Sequence, residues 1–254
     1  MVKKAGTIQP DRVQHTEAGT AQSVVCFGPM RHQLCLDFAN SLDHRLTGHP
    51  IEPLTSYADL VSWSQQHGLL TEPQEAQLRQ AAARHPDAAA AVLARAIALR
   101  EAIYRMFSAV AAGRLPEPAD LATLNAVLSK ALGALHILGA ASGFAWAWKA
   151  EDIALDRMLW PVALSAAQLL TSDARSIVRE CAATDCGWLF LDTTRNGSRR
   201  WCDMRVCGNR AKARRHYERR KRAAWSGAAD RPPPSSGPGK DSPPGRTRRR
   251  PSAS

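Results

Sequence analysis

"CAATDCGWLFLDTTRNGSRRWCDMRVCGNR" runs from Cys181 to Arg210. Four of the chain's six cysteines fall in it, spaced Cys181-x4-Cys186-x15-Cys202-x4-Cys207. Two close pairs separated by a hairpin-length insert match the spacing of a tetrahedral four-thiolate zinc site. Cys186 and Cys207 are each followed by glycine, as a tight turn around a metal-bound sulfur requires. Asn196-Gly197 is a hairpin turn signal. The reading is therefore knuckle, strand "GWLFLD", turn, strand "RRW", second ligand pair, helix. Four cysteines fill the coordination sphere, so the expected single Zn²⁺ is structural, with no open position for a reacting water. Cys207 is expected at a helix N-terminus, where the dipole favours a thiolate.

Charge concentrates beside the cysteines. Lys and Arg occupy twelve positions from Arg195 to Arg222, opposed only by Asp203 and Glu218, in a chain of net charge +11. The rest of the chain up to the tail is mildly acidic. One Zn²⁺ with four thiolates carries a formal charge of −2, so Arg200, Arg205 and Arg210 can act structurally by offsetting it. The remaining cations exceed what solubility needs and point to a nucleic-acid partner, with a membrane surface or an acidic protein as the other anionic partners. The candidate contacts are Arg199, Arg200, Arg205, Arg210, Lys212, Arg214, Arg215, Arg219 and Arg222. Lys212, Arg215, Arg219 and Arg222 recur every three or four residues along one side of the expected helix. Trp188, Trp201 and Tyr217 can stack on unpaired bases, which would favour RNA or single strands. The preferred use of the two tryptophans is packing around the metal module.

Working upstream, Met1 to about Gln22 is polar and unpatterned, the composition of a disordered segment. "CFGPMRHQLCLDFANSLD" (Cys26–Asp43) fits either a strand or a helix. A helix is expected after Thr55 or Ser56, with Leu60, Val61 and Trp63 inward, and another after Thr71. The longest runs from Pro86 to about Gly113, with a stripe of Leu93, Ile97, Ile103, Tyr104, Phe107 and Val110. A further helix starts near Pro118. "LHIL" and "GFAWAW" form one hairpin. "LDRMLWPVALSAAQLLTS" reads as a helix kinked at Pro161. Beyond Trp225, proline, glycine and serine dominate a disordered basic tail. The uncharged stretch Ala131–Trp148 is too rich in glycine and polar residues for a membrane span. A secretory leader is not expected at the start of the chain. These features suggest a cytoplasmic protein with reduced thiols and no membrane association. Cys26 and Cys35 read as ordinary buried thiols.

The segment from Cys181 to about Arg220 resembles the CGNR zinc-finger family. The resemblance rests on the four cysteines, "GWLFLD", "RRWCDM" and the tetrad Cys207-Gly208-Asn209-Arg210. Upstream, "LCLDFANSLD", "YADLVSW", "ALREAIYRMF" and "PVALSAAQLL" are similar to the ABATE domain that accompanies this finger. The resemblance implies a zinc-ribbon-like nucleic-acid module in a stress-related transcription regulator.

The expected architecture is α+β. It comprises a mostly helical N-terminal domain with a small β-hairpin, then a four-cysteine zinc-ribbon or treble-clef-like module with a basic C-terminal helix. The divisions are 1–22 (disordered), 23–176 (ABATE-like), 177–225 (finger and helix) and 226–254 (tail). The first functional reading is a zinc-dependent nucleic-acid binder, DNA ahead of RNA. In it the N-terminal domain senses a small molecule, with Asp37 and Asn40 as pocket candidates, or forms a homodimer. Both side chains also suit local caps or core hydrogen bonds. The second reading is a protein-interaction scaffold. The third, an enzyme using Asp37, His32, Asn40 and Arg100, lacks a nucleophile–base pair, phosphate loop or carboxylate–His metal spacing, so the chain reads as non-catalytic. Replacing a finger cysteine is expected to leave the upstream domain folded.

Overall fold

The computed structural model describes residues 24–25, 32–140, 143–149 and 154–229. The N-terminal segment, Cys26 and the tail beyond Ala229, on which expectations of disorder and burial were placed, lie outside the described residues.

The ambiguous LCLDF stretch is a helix, α1 (His32–Ala39). Cys35, Leu36, Phe38 and Ala39 are fully buried. Burial on nearly every side explains why neither a two- nor a four-residue period stood out. Burial also pushes the Cys35 thiol up to about 12, so it behaves as a small core residue. Helix α2 (Tyr57–Gln66) begins at Ser56 in a capping box with Asp59, and α3 (Glu72–Arg84) begins at Thr71 in one with Gln74. Both boxes satisfy backbone donors that the first turn leaves open.

Helix α4 (Pro86–Ala111) forms where expected, but its inward seam is rotated from the expected stripe. The buried residues are Val92, Ala96, Leu99, Arg100, Ile103, Met106 and Phe107, while Leu93, Ile97, Tyr104 and Val110 are half-buried. The expectation followed the largest apolar side chains, whereas the close packing of α4 against its neighbours uses alanine and a paired arginine. Arg100 is 2% exposed. Its guanidinium binds both oxygens of Glu52, at 2.7 and 2.5 Å, and Oε1 of Glu101 at 2.9 Å. A buried guanidinium is tolerated only with such partners.

Helix α5 (Pro118–Ala134) buries Leu124, Ala131 and Asp120, and Asp120 accepts from Arg105. Strands β2 (Leu135–Ala140) and β3 (Gly143–Trp148) form the expected hairpin, and β1 (Val24–Val25) pairs with the other edge of β3. Leu135, Ile137 and Gly139 lie opposite Trp148, Trp146 and Phe144. At the base of that face Trp148 packs on Trp160, with ring centroids 5.6 Å apart. Towards the tip Phe144 is exposed.

Helix α6 (Leu159–Thr171) is not kinked. It starts two residues before Pro161, which therefore lies in the first turn. There the missing N–H would have had no intrahelical acceptor, so the expected distortion does not arise. Helix α1 packs on α6 and α4, and α6 packs on α5 and α4. Leu36, Phe38, Leu60, Leu99, Ile103, Phe107, Val162 and Leu169 form the centre of the core. A 3₁₀ turn (Asp173–Ile177) leads into β4 (Val178–Glu180), antiparallel to β5 (Leu189–Leu191). Val178 and Leu189 belong to the same core cluster as the helices.

The partner of "LFL" is thus the upstream segment Val178–Glu180, not "RRW". The insert turns instead around Asp192. Its Oδ1 accepts from the Thr194 N–H at 3.0 Å, and its Oδ2 accepts from the Arg199 N–H at 2.9 Å. Gly197 takes φ 58°, as the Asn-Gly signal implied. Helix α7 spans Asn209–Ala229. The chain divides into two compact units, one up to Asn209 and one from Arg210 onward. Among the described residues no helix is long and apolar enough to cross a membrane.

Candidate metal centre and nucleic-acid interface

The four spaced cysteines converge. Their Sγ atoms all lie within 4.8 Å of one another. Cys186 and Cys202 are 3.6 Å apart, and Cys202 and Cys207 are 3.7 Å apart. A disulfide needs about 2.05 Å. Thiolates at tetrahedral corners about 2.3 Å from zinc stand roughly 3.8 Å apart. The donor set therefore fits one zinc ion. Cys181, Cys186 and Cys207 are buried and Cys202 is partly exposed.

Electrostatics agree with the geometry. The hydrogen bond between Cys186 and Cys202 holds the Cys186 thiol down to about 6. The same hydrogen bond, with burial and the neighbouring sulfurs, pushes Cys202 upward. Sulfurs this close cannot all ionise without a cation among them.

Each ligand has a local support. The Cys181 N–H donates to the Trp188 carbonyl at 2.8 Å, and the next N–H, of Ala182, donates to Arg200 at 2.8 Å. Cys186 precedes Gly187, whose φ of 74° is the left-handed conformation that the Cys-Gly step anticipated. Cys207 sits in a wide turn, Met204–Gly208, immediately before α7 rather than within it. Asp203 caps that turn, accepting from the backbone of Arg205 at 2.6 Å and Val206 at 3.3 Å. Gly208 has an ordinary φ, but a Cβ there would collide with Sδ of Met204. Asn209 closes the turn through Nδ2 to the Arg205 carbonyl at 3.0 Å. Trp188 and Trp201 pack against the cysteine cluster with Phe190, the use preferred for them over base stacking.

The candidate cations divide by surroundings. The Arg199 guanidinium lies over the Phe190 ring and donates to the carbonyls of Trp201 and Cys202, so it braces the module. Arg200 lies 5.4 Å from the Trp201 ring. Arg205 is exposed. On α7, Arg210, Lys212, Arg214, Arg215, Arg219 and Arg222 are all exposed, and Glu218 is the single acid from Asn209 to Arg222. Tyr217, 68% exposed, is the one aromatic in that span.

The pocket candidates do not converge. The Asp37 carboxylate accepts from Gln33 one turn earlier, at 3.0 Å. The Asn40 side chain is occupied twice by Leu189, donating to its carbonyl and accepting from its N–H, both at 2.8 Å. Arg100 is held by Glu52 and Glu101. Sequence reasoning missed the Asn40 clamp and the role of Glu180, whose carboxylate accepts from the hydroxyls of Tyr104 at 3.0 Å and Ser108 at 2.6 Å. The β-branched pair Ile177-Val178 before Cys181 was the available signal for β4. The clamp partners lie 149 and about 70 positions apart in sequence and left no local signature.

No curated protein matches the chain. The CGNR zinc-finger family model matches residues 178–220. The ABATE model, described as "Putative stress-induced transcription regulator", matches residues 32–173. Neither is a family of enzymes. With more than half of its length in the first match and the four-cysteine centre in the second, the chain belongs to the ABATE family and carries a CGNR zinc finger after the ABATE region.

Proposed function

We propose that the protein is a zinc-dependent, DNA-binding transcriptional regulator. In this reading Cys181, Cys186, Cys202 and Cys207 hold one structural zinc and α7 supplies the phosphate contacts. The observation that carries it is the exposure of every Lys and Arg from Arg210 to Arg222 against one acid. Such a surface binds polyanions by releasing counterions. Duplex DNA is favoured over RNA because Trp188 and Trp201 pack on the cysteine cluster, which leaves Tyr217 as the exposed aromatic between Asn209 and Arg222. The segment from 23 to 176 acts as the sensory or dimerising part, 177–225 as the reader, and a cytoplasmic location follows from these roles.

The test is a titration of zinc-loaded protein with duplex DNA and with RNA across a salt series, with metal content measured on the same sample. Salt-dependent duplex binding that disappears on chelation is the expected result. Failure to bind either polymer with zinc in place would move the finger to a protein-interaction role.

A further inference from the structure

Strands β4 and β5 have three residues each and, among the described residues, pair only with one another. A lone two-stranded pair is marginal in water. This one is held from outside. Val178 and Leu189 are 0% and 1% exposed within the helical core. Asn40, at the end of α1, makes two reciprocal hydrogen bonds with Leu189. Tyr104 and Ser108 of α4 both donate to Glu180. A Cβ on Gly187 would stand 3.0 Å from Leu46 and 3.4 Å from the Tyr104 hydroxyl, so the loop lies tight against the helical part there too.

These anchors flank the metal ligands directly. Glu180 precedes Cys181, and Gly187 follows Cys186. The first pair of ligands therefore hangs from strands that α1 and α4 hold in place. The second pair is braced within the module, by Arg199 at the Cys202 carbonyl and by Asp203 before Cys207. Closing four sulfurs on one ion requires the two pairs to meet. Whatever loosens α1 or α4 moves the first pair away from the second.

We propose that Asn40 and Glu180 are positioning residues for the metal centre, making zinc binding and the packing of α1 and α4 one coupled equilibrium. Linkage makes the coupling reciprocal: helices that favour zinc are themselves favoured by it. The upstream helices then do not stand unchanged when the metal is lost, contrary to the expectation drawn from the sequence. The inference does not depend on a nucleic-acid partner.

Hydrogen exchange on the full-length chain, zinc-loaded and after chelation, tests this without any substitution. Faster exchange on chelation is expected in α1 and in α4 from about Ala102 to Ala109, as well as in residues 178–208. Competition with a chromophoric chelator then measures zinc affinity for folded Asn40→Ala, Asn40→Asp and Glu180→Ala chains. Asn40→Ala and Glu180→Ala are expected to lose about 10- to 100-fold. Asn40→Asp keeps the acceptor for the Leu189 N–H and should lose less. Exchange changes confined to 178–208, with affinities within about threefold of the parent, would overturn the proposal.

Discussion

Gly187 and Gly208 each follow a ligand cysteine, and they are glycine for different reasons. Gly187 takes φ 74° and lies against Leu46 and Tyr104, whereas Gly208 leaves room for Met204. Gly187→Ala is expected to cost about 1–3 kcal/mol, from left-handed strain and the contact with Leu46. Thermal unfolding of the zinc-loaded protein would show it. Glu52 is the other instructive residue. Partial burial opposes its ionisation, but the Arg100 guanidinium outweighs that and holds its carboxyl below the ordinary 4.5. The folded value is depressed, so the pair's contribution is fully present above about pH 4.5 and is lost as pH falls through the lower folded value. Glu52→Gln should destabilise the protein at neutral pH by about 2–3 kcal/mol, since Glu101 still holds Nε of Arg100. Denaturant unfolding across the acid range should show that deficit shrinking as pH drops below about 4.5.

At the scale of elements, capping chemistry was legible and packing direction was not. Ser56 and Thr71 announce α2 and α3 because a cap is made with residues three positions away. Ser56→Ala is expected to cost about 1 kcal/mol, measured by chemical denaturation. In α4 the apolar period identified the helix but not its inward face, because that depends on which neighbours need small residues and on Glu52 reaching Arg100. β5 likewise pairs with a strand lying before the first ligand. Lys212 and Arg219 lie on one side of α7 and are exposed. Lys212→Gln with Arg219→Gln should leave zinc content unchanged and weaken duplex binding. The slope of log affinity against log salt should fall by about 2, the value for two lost phosphate contacts. An electrophoretic shift series at several salt concentrations measures it.

Across the whole molecule, the matched families divide the chain at a different place from its packing. The ABATE match ends at 173 and the finger match begins at 178. The compact unit, however, runs through the cysteines to Asn209. A chain ended after Asn209 should therefore fold, retain one zinc per molecule and melt within a few degrees of the parent. It should also lose about a hundredfold in duplex affinity at low salt, because the cations of α7 are gone. Metal analysis, calorimetry and a binding titration on that chain check the three parts.

Chemistry that depends on residue type and short spacing is written in the sequence. The metal-ligand pattern, the helix caps, the Asn-Gly turn, the order of helices and hairpin and the cation-rich helix were all readable there. Each is decided by groups within a few turns of one another, or by ligand chemistry that few residue types can supply. What depends on distant partners came only with the packed fold. It placed Asn40 on Leu189 and Glu180 beneath Tyr104 and Ser108, and buried Arg100 against Glu52. A buried polar group is defined by the atoms that satisfy it. Those atoms lie up to 149 positions away, where no periodicity or motif reaches.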